Sequence, residues 1–248
     1  MIPLLLPTQS VYLPGQAVRV EATHPGDLVV THLGEVVREV PCERPGLVDL
    51  GELSVGGYGV AQPATGASSA LQVCASASDR LRYGFVASFR PGKDARAVAR
   101  FARRLHLTGI QFYDWAYRHA DLLGGGEEYL DALDQPISLA TVRALIEALR
   151  AVGTRSIGYA AVYGVGNDEW EQWEDTALLD PVGEPYSLAD FLRIVDPAHP
   201  RWLAHFAADV AAAAREVGFD GFHLDQYGYP KAAVRPDGEI VDVASSFD

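Results

Sequence analysis

The stretch Gly218-Phe-Asp-Gly-Phe-His-Leu-Asp-Gln-Tyr-Gly228 decides the fold. Apolar and polar residues alternate between two bracketing glycines, the pattern of a strand with one face on helices and the other on a site. Side chains on a strand alternate faces, so Gly221, His223 and Asp225 share one face while Phe222 and Leu224 share the other. A strand ending in a carboxylate is what a parallel barrel enzyme places at its catalytic rim, which makes Asp225 the leading catalytic candidate. Aspartate is also a common turn and capping residue, and this stretch alone leaves the two roles balanced.

Upstream of it, strand and helix signals take turns. Tyr83-Gly-Phe-Val-Ala-Ser-Phe89 is a predicted strand, and Asp94 to His106 a predicted helix with Val98, Phe101 and Leu105 on one apolar stripe. Gly109-Ile-Gln-Phe-Tyr-Asp-Trp115 is the second strand. Ser138 then opens a helix bearing Leu139, Val142, Leu145, Ile146 and Leu149, which Gly153 closes in a left-handed turn. The third strand is Ile157-Gly-Tyr-Ala-Ala-Val-Tyr163, and Pro200 starts a helix carrying Trp202, Phe206, Val210 and Val217. Such alternation implies a parallel sheet. The connections after the second and third strands are long, and barrels of this kind hold substrate there, so segments 113–136 and 163–198 are the expected functional loops.

Residues 1–79 follow a different rhythm. Short apolar runs, Ala17-Val-Arg-Val20, Asp27-Leu-Val-Val-Thr31 and Ala70-Leu-Gln-Val73, alternate with turn signals at Pro14-Gly15, Pro25-Gly26, Pro45-Gly46 and Gly56-Gly57. That spacing predicts a β-sandwich over 1–79, with Ala75-Ser-Ala-Ser-Asp79 as the boundary to an α/β domain over 80–248. Packing against the second domain is its expected role, ahead of sugar binding.

Composition narrows the function classes. The 248 residues are 48% hydrophobic and 21% charged, ordinary globular material. A net charge of −13 and a pI near 4.9 argue against a nucleic-acid partner, which calls for a basic patch, and favour a neutral ligand. The opening Met1-Ile-Pro-Leu-Leu-Leu-Pro7 has no basic leader, and its apolar run is far shorter than the ~18 residues of a membrane span. The expectation is therefore no membrane partner and a cytoplasmic location, with secretion open if the amino terminus has been trimmed. Cys42 and Cys74 are expected as free structural thiols. The histidines show no paired ligand spacing, and Gly124-Gly-Gly126 lacks the Lys-Ser/Thr of a phosphate loop, so neither metal nor cofactor is expected.

Several motifs in order carry a family resemblance. Arg82-Tyr-Gly-Phe-Val-Ala-Ser-Phe89, Gly109-Ile-Gln-Phe-Tyr-Asp-Trp-Ala-Tyr-Arg-His119, Tyr159-Ala-Ala-Val-Tyr-Gly164, Val195-Asp-Pro197 and the acidic strand resemble glycoside hydrolase family 66, the dextranases and cycloisomaltooligosaccharide glucanotransferases. The match runs from about Arg82 to the last residue. The resemblance implies an immunoglobulin-like β-sandwich followed by a (β/α)8 TIM-barrel catalytic domain, of which about four βα units are present. It implies an α-1,6-linked glucan substrate, dextran or isomaltooligosaccharide, hydrolysed or transferred with retention, and Asp225 as nucleophile.

The same resemblance ranks the other candidates. Asp114 and His119 match polar positions of the family motif and are expected to bond hydroxyls of the bound sugar. Tyr113 and Trp115 offer flat faces for pyranose rings, with simple core packing as the alternative. Tyr163 is expected to contact substrate and Tyr159 to fill the barrel. His223, two residues before Asp225, is expected either to bond a sugar hydroxyl or to be a satisfied interior histidine. For Asp196 before the third helix the resemblance implies a substrate contact, and helix capping is the sufficient alternative.

A retaining glycosidase needs a second carboxyl group as acid/base. The family's is a glutamate on a later barrel strand, and Arg82 to Asp248 is well short of the roughly 250 residues of a full barrel. The expectation is that the acid/base Glu lies beyond the end of this chain and that the chain alone is inactive. Asp168, Glu169, Glu171 and Glu174 look like a solvated acidic face instead. The alternatives are another retaining barrel glycosidase of the α-galactosidase type, or a catalytically incomplete glycan-binding half-barrel.

Overall fold

The structure, a computed structural model, describes residues 2–76 and 78–247. Contacts divide the chain into two compact units. The first is Met1–Phe85, Asp94–Ile110 and Ala144–Ser156; the second is Val86–Lys93, Gln111–Arg143 and Ile157–Asp248.

In the first unit the strands are β1 (Leu5–Pro7), β2 (Val18–Ala22), β3 (Leu28–His32), β4 (Glu35–Val40), β5 (Gly46–Gly51), β6 (Gly56–Gln62) and β7 (Ala67–Val73). They form two antiparallel sheets, β1-β2-β5 and β4-β3-β6-β7. Alternation places Val18, Val20 and Ala22 of β2 on the buried face and Arg19 and Glu21 on the exposed one. Leu5, Val20, Val30, Leu50, Val60 and Val73 meet in one apolar cluster drawn from both sheets. Cys42 and Cys74 are buried free thiols.

After β8 (Tyr83–Val86), helix α1 (Ala95–Arg104) starts where Asp94 accepts the Ala97 N–H at 2.9 Å. The predicted apolar stripe is not its buried face. Ala99, Ala102 and Arg103 are buried, while Phe101 is 59% exposed and Leu105 half-exposed. The small alanines let α1 approach β1, and Arg103 Nε donates to the Pro7 carbonyl at 2.8 Å and Nη2 to that of Leu6 at 3.4 Å. Donors on these carbonyls, rather than apolar area, choose the face.

A second set of elements follows: β9 (Gly109–Phe112), the hairpin β10 (Glu128–Leu130) and β11 (Pro136–Ser138), helix α2 (Leu139–Arg150) and β12 (Arg155–Ala161). The long connection after β12 holds β13 (Gly164–Gly166), α3 (Trp170–Trp173), β14 (Ser187–Leu188) and β15 (Leu192–Ile194), before α4 (Pro200–Val217) and β16 (Gly221–Asp225). The chain then makes a hairpin of β17 (Ala232–Val234) and β18 (Ile240–Asp242). Strands β16, β12, β9 and β8 lie side by side in that order, and β12 and β16 pair in parallel with Tyr159 opposite His223 and Ala161 opposite Asp225.

The helices follow their apolar patterns here. Leu139, Val142, Leu145, Ile146 and Leu149 of α2 are buried, and Gly153 beyond its end has φ +73°. Pro200 opens α4 and Gly218 closes it in the left-handed region, φ +92°. In the second unit Tyr163, Trp173, Ile194, Trp202 and Phe206 build one core, while Phe89, Phe112 and Phe219 form another contact chain at 5.5 and 5.3 Å between centroids. Asp196 is buried: its Oδ1 accepts the Ala198 N–H at 3.0 Å, and Oδ2 accepts Arg235 Nε at 2.7 Å. Asp196 therefore closes the turn before α4 and pairs with Arg235, but it is not the cap expected of it: His199 holds the cap position, and no side chain caps the helix.

Candidate active site

Within the second unit, a cavity of about 280 Å³ opens where β9, β12 and β16 end. Tyr113, Asp114, His119, Asp131, Tyr159 and Asp225 make its polar wall, and Leu133, Leu188 and Phe191 belong to its apolar one. It thus draws on both long connections flagged in the sequence.

Asp225 is the last residue of β16 and is half-buried. The Tyr159 hydroxyl donates to its Oδ2 at 2.9 Å, and no hydrogen bond reaches Oδ1 from the described residues. Burial, then the neighbouring Tyr227 and Asp225, hold the Tyr159 phenol far above the usual tyrosine range, so it stays a donor.

Asp114 follows β9 in a left-handed conformation, φ +51°, which Asp tolerates better than most residues. No hydrogen bond from the described residues meets its carboxyl. Burial, and secondarily the charge of Asp131, push its pKa up to about 6. Asp131 is 4% exposed, and its Oδ1 accepts the N–H groups of Leu133 and Gln135, each at 2.8 Å. The sequence placed Asp131 in a functional loop without singling it out; the closed Asp-Ala-Leu-Asp-Gln turn was the available signal.

His119 has a buried Nδ1 without a partner among the described residues, and its ring lies 6.1 Å from that of Phe191. Burial lowers its pKa to about 4, outweighing the opposite pull of Asp168 and Asp131, so the imidazole is neutral. Tyr113 is exposed at the mouth with its ring 5.0 Å from that of Tyr159. The charge of Asp114 first, then burial and Asp225, raise its phenol.

Three sequence candidates are not in the cavity wall. Trp115 is fully buried, donating its indole N–H to the Tyr159 carbonyl at 3.0 Å and lying 4.7 Å from Phe219. The left-handed turn at Asp114 breaks the alternation that would have presented it. Tyr163 is also fully buried: its hydroxyl donates to the Tyr229 carbonyl and accepts the Tyr227 N–H, both at 2.9 Å. Tyr159, expected as filling, takes the site position instead. His223 sits one residue pair below Asp225 on the same face, stacked 6.4 Å from the Tyr159 ring.

The acidic run after β13 faces elsewhere. Asp168 pairs with Arg118, and the Glu169 carboxylate accepts the Ala120 N–H at 3.1 Å and the Gly166 N–H at 3.2 Å. Asp168, Glu169 and Glu171 line a separate surface hollow. Among the described residues no group of three or more His, Cys, Asp or Glu is arranged to hold a metal ion. The main cavity therefore offers two carboxylates, Asp225 held through Oδ2 and Asp131 held through Oδ1, a third carboxyl, Asp114, that holds its proton up to about pH 6, and a neutral imidazole. Such groups suit a ligand rich in hydroxyls.

Residues 57–248 match the sequence profile of glycosyl hydrolase family 66. The chain belongs to that family. Among similar proteins, two cycloisomaltooligosaccharide glucanotransferases of Niallia circulans are 26% and 25% identical, over 73% and 72% of this chain and 20% of each relative. This family 66 chain thus spans a fifth of the length of those curated relatives. Its fold matches that of a Paenibacillus cycloisomaltooligosaccharide glucanotransferase solved with cycloisomaltoheptaose, with TM-score 0.80 and 20% identity over 99% of this chain and 42% of the other.

Proposed function

We propose that this chain carries the nucleophile of a retaining glycoside hydrolase or transglycosylase acting on α-1,6-linked glucan, dextran or isomaltooligosaccharide. Asp225 is the nucleophile. The observation that carries this is the state of its carboxylate, which lines the cavity, is held through Oδ2 by Tyr159 at 2.9 Å and has no hydrogen bond on Oδ1 from the described residues. A carboxylate oriented by one oxygen and free at the other is ready to attack an anomeric carbon. Membership of family 66, and similarity to enzymes named for cyclic isomaltooligosaccharides, support a glucan as the substrate.

In the first step Oδ1 bonds to C1 as the bond from C1 to the leaving sugar oxygen breaks, and an acid protonates that oxygen. In the second, water or a sugar hydroxyl gives its proton to the same residue, attacks C1 and frees Asp225. The acid/base is a glutamate from a later barrel strand, with its carboxyl about 5 to 5.5 Å from that of Asp225. Asp114 and His119 bond sugar hydroxyls and Tyr113 stacks at the mouth. The corresponding architecture is an immunoglobulin-like sandwich followed by about four βα units of a (β/α)8 barrel. The two antiparallel sheets with a common core, and the parallel β12–β16 pair, support it.

In the full-length protein, Asp225→Ala should lower dextran turnover roughly 10³-fold or more with an unchanged circular dichroism spectrum. Turnover at the wild-type rate in that variant rules out Asp225. A panel of α-1,6-glucan, α-galactoside and α-1,4-glucan identifies the substrate, and preference for the galactoside would replace the glucan assignment.

A further inference from the structure

The proposed chemistry makes no use of the acidic run after β13 or of the polar residues of α4, yet both reach the same short turn. Residues 117–122 close on themselves: the Tyr117 N–H donates to the Leu122 carbonyl at 3.1 Å and the Arg118 N–H to that of Asp121 at 3.0 Å. Three other backbone groups of the turn each meet a side chain from another element. The Ala120 N–H donates to the Glu169 carboxylate at 3.1 Å, and the Ala120 carbonyl accepts from His205 Nε2 at 2.7 Å. The Leu122 N–H donates to Asp209 Oδ2 at 2.8 Å. His205 and Asp209 are four residues apart on α4, which puts them on one face of the helix. Glu169 also accepts the Gly166 N–H at 3.2 Å, so one carboxylate ties the connection after β9 to the connection after β12. At Gly166 an added side-chain carbon would lie 3.2 Å from Glu169 Oε2, and the glycine leaves that space open.

His119 lies inside this turn, and its neighbours on both sides are held. Arg118 pairs with Asp168 and donates through Nη1 to the Leu130 carbonyl at 3.0 Å, while Ala120 is buried with both its backbone groups taken. Between them the His119 side chain lines the cavity with its Nδ1 buried. Burial raises the carboxyls of Glu169 and Asp209, so the fold gives up part of the hydration of two acids to hold this turn. We propose that Glu169, His205 and Asp209 are positioning residues, a clamp that fixes the 117–122 turn and thereby keeps the His119 imidazole in the cavity wall. Carboxylates accept stronger hydrogen bonds than neutral oxygens do, and here they come from two separate elements, so the turn cannot shift without breaking with both. The clamp itself stands on these hydrogen bonds; its kinetic consequence rests on His119 bonding a sugar hydroxyl, as proposed above.

The test reads the titration midpoint of His119 by imidazole NMR in the full-length protein. Burial lowers that midpoint to about 4 against 6.5 unfolded, while Asp168 and Asp131 pull it up and Arg118 pulls it down. Glu169→Ala should release the turn, admit water to the ring and raise the midpoint toward 6.5. Loss of a nearby negative charge would by itself lower a histidine's midpoint, so the sign separates a released turn from direct electrostatics. Asp209→Ala should act in the same direction and serves if the Glu169 variant folds poorly. Asp209→Asn keeps an oxygen for the Leu122 N–H and should hold the wild-type value. A midpoint that stays or falls in the alanine variants would overturn the clamp. With isomaltooligosaccharide, His119→Ala should lower kcat/KM about fivefold, the worth of one neutral hydrogen bond. Glu169→Ala should lower it by no more than that, with no further loss on a His119→Ala background. Losses that multiply in the double variant would show that Glu169 does not act through His119, and would overturn the clamp's role in the site. A wild type without turnover overturns the glycosidase assignment and leaves the midpoint to decide the clamp.

Discussion

At the scale of single residues, Asp114 and His119 give the cavity opposite pH responses. Unfolded, Asp114 releases its proton near 3.8; folded, it keeps it to about 6. Between those values the folded protein binds the proton that the unfolded chain has lost, so stability falls as pH rises through that window. His119 stays neutral down to about 4 against 6.5 unfolded, so its contribution falls as pH drops through its own window. Asparagine cannot ionise. Asp114→Asn should therefore stabilise the protein at pH 7 by about 1 kcal/mol, discounting for the open side of the cavity, or about 2–4 °C in thermal midpoint. The gain should vanish near pH 4, and melts that differ by the same amount at both pH values would contradict the assignment. Strand ends and alternation singled out Asp225, the family resemblance singled out Asp114 and His119, and all three line the cavity together with Tyr113. Trp115 could not be placed, because the left-handed backbone at Asp114 turns the next side chain into the core, and nothing local announces such a turn at a non-glycine residue.

Whole elements were legible where apolar area decides their packing, as in α2 and α4, and not where polar groups do. Helix α1 shows the difference: periodicity favours Val98, Phe101 and Leu105, but the helix docks through Ala99, Ala102 and Arg103. Arginine at a buried position is recognisable only once the carbonyls of Leu6 and Pro7 are known to point at it. Arg103→Met keeps most of the buried stem and removes the donors, so urea unfolding should show a loss of roughly 1–3 kcal/mol, with Arg103→Lys between it and wild type. A methionine variant as stable as wild type would show that the stem alone holds α1 to β1. Both long connections expected to be functional contribute residues to the cavity, yet the β13-β15-β14 sheet within one of them was invisible. Its strands are two or three residues long, too short for alternation to register.

For the whole molecule, charge is the property that composition conveys most directly, and the cavity repeats it locally. The chain carries a net −13; Asp114, Asp131 and Asp225 line the cavity, whereas Arg118 on its wall is paired with Asp168. What composition could not convey is which carboxylates converge, because Asp131 and Asp225 come from elements far apart in sequence. An anionic ligand would meet uncompensated like charge there, and a neutral polyol would meet acceptors, a neutral imidazole and a carboxyl that donates below about pH 6. The ligand proposed above, a neutral isomaltooligosaccharide, would bring no net charge into that field. Its affinity by calorimetry should change by less than about twofold between low salt and 0.5 M salt, since screening acts only between charges. Dextran sulfate presents the same sugar with charge attached, so it should bind worse than dextran and recover as salt shortens the range of repulsion. Tighter binding of the sulfated polymer at low salt would mean that the cations outside this cavity, rather than its hydroxyl-directed wall, make the contact with glucan.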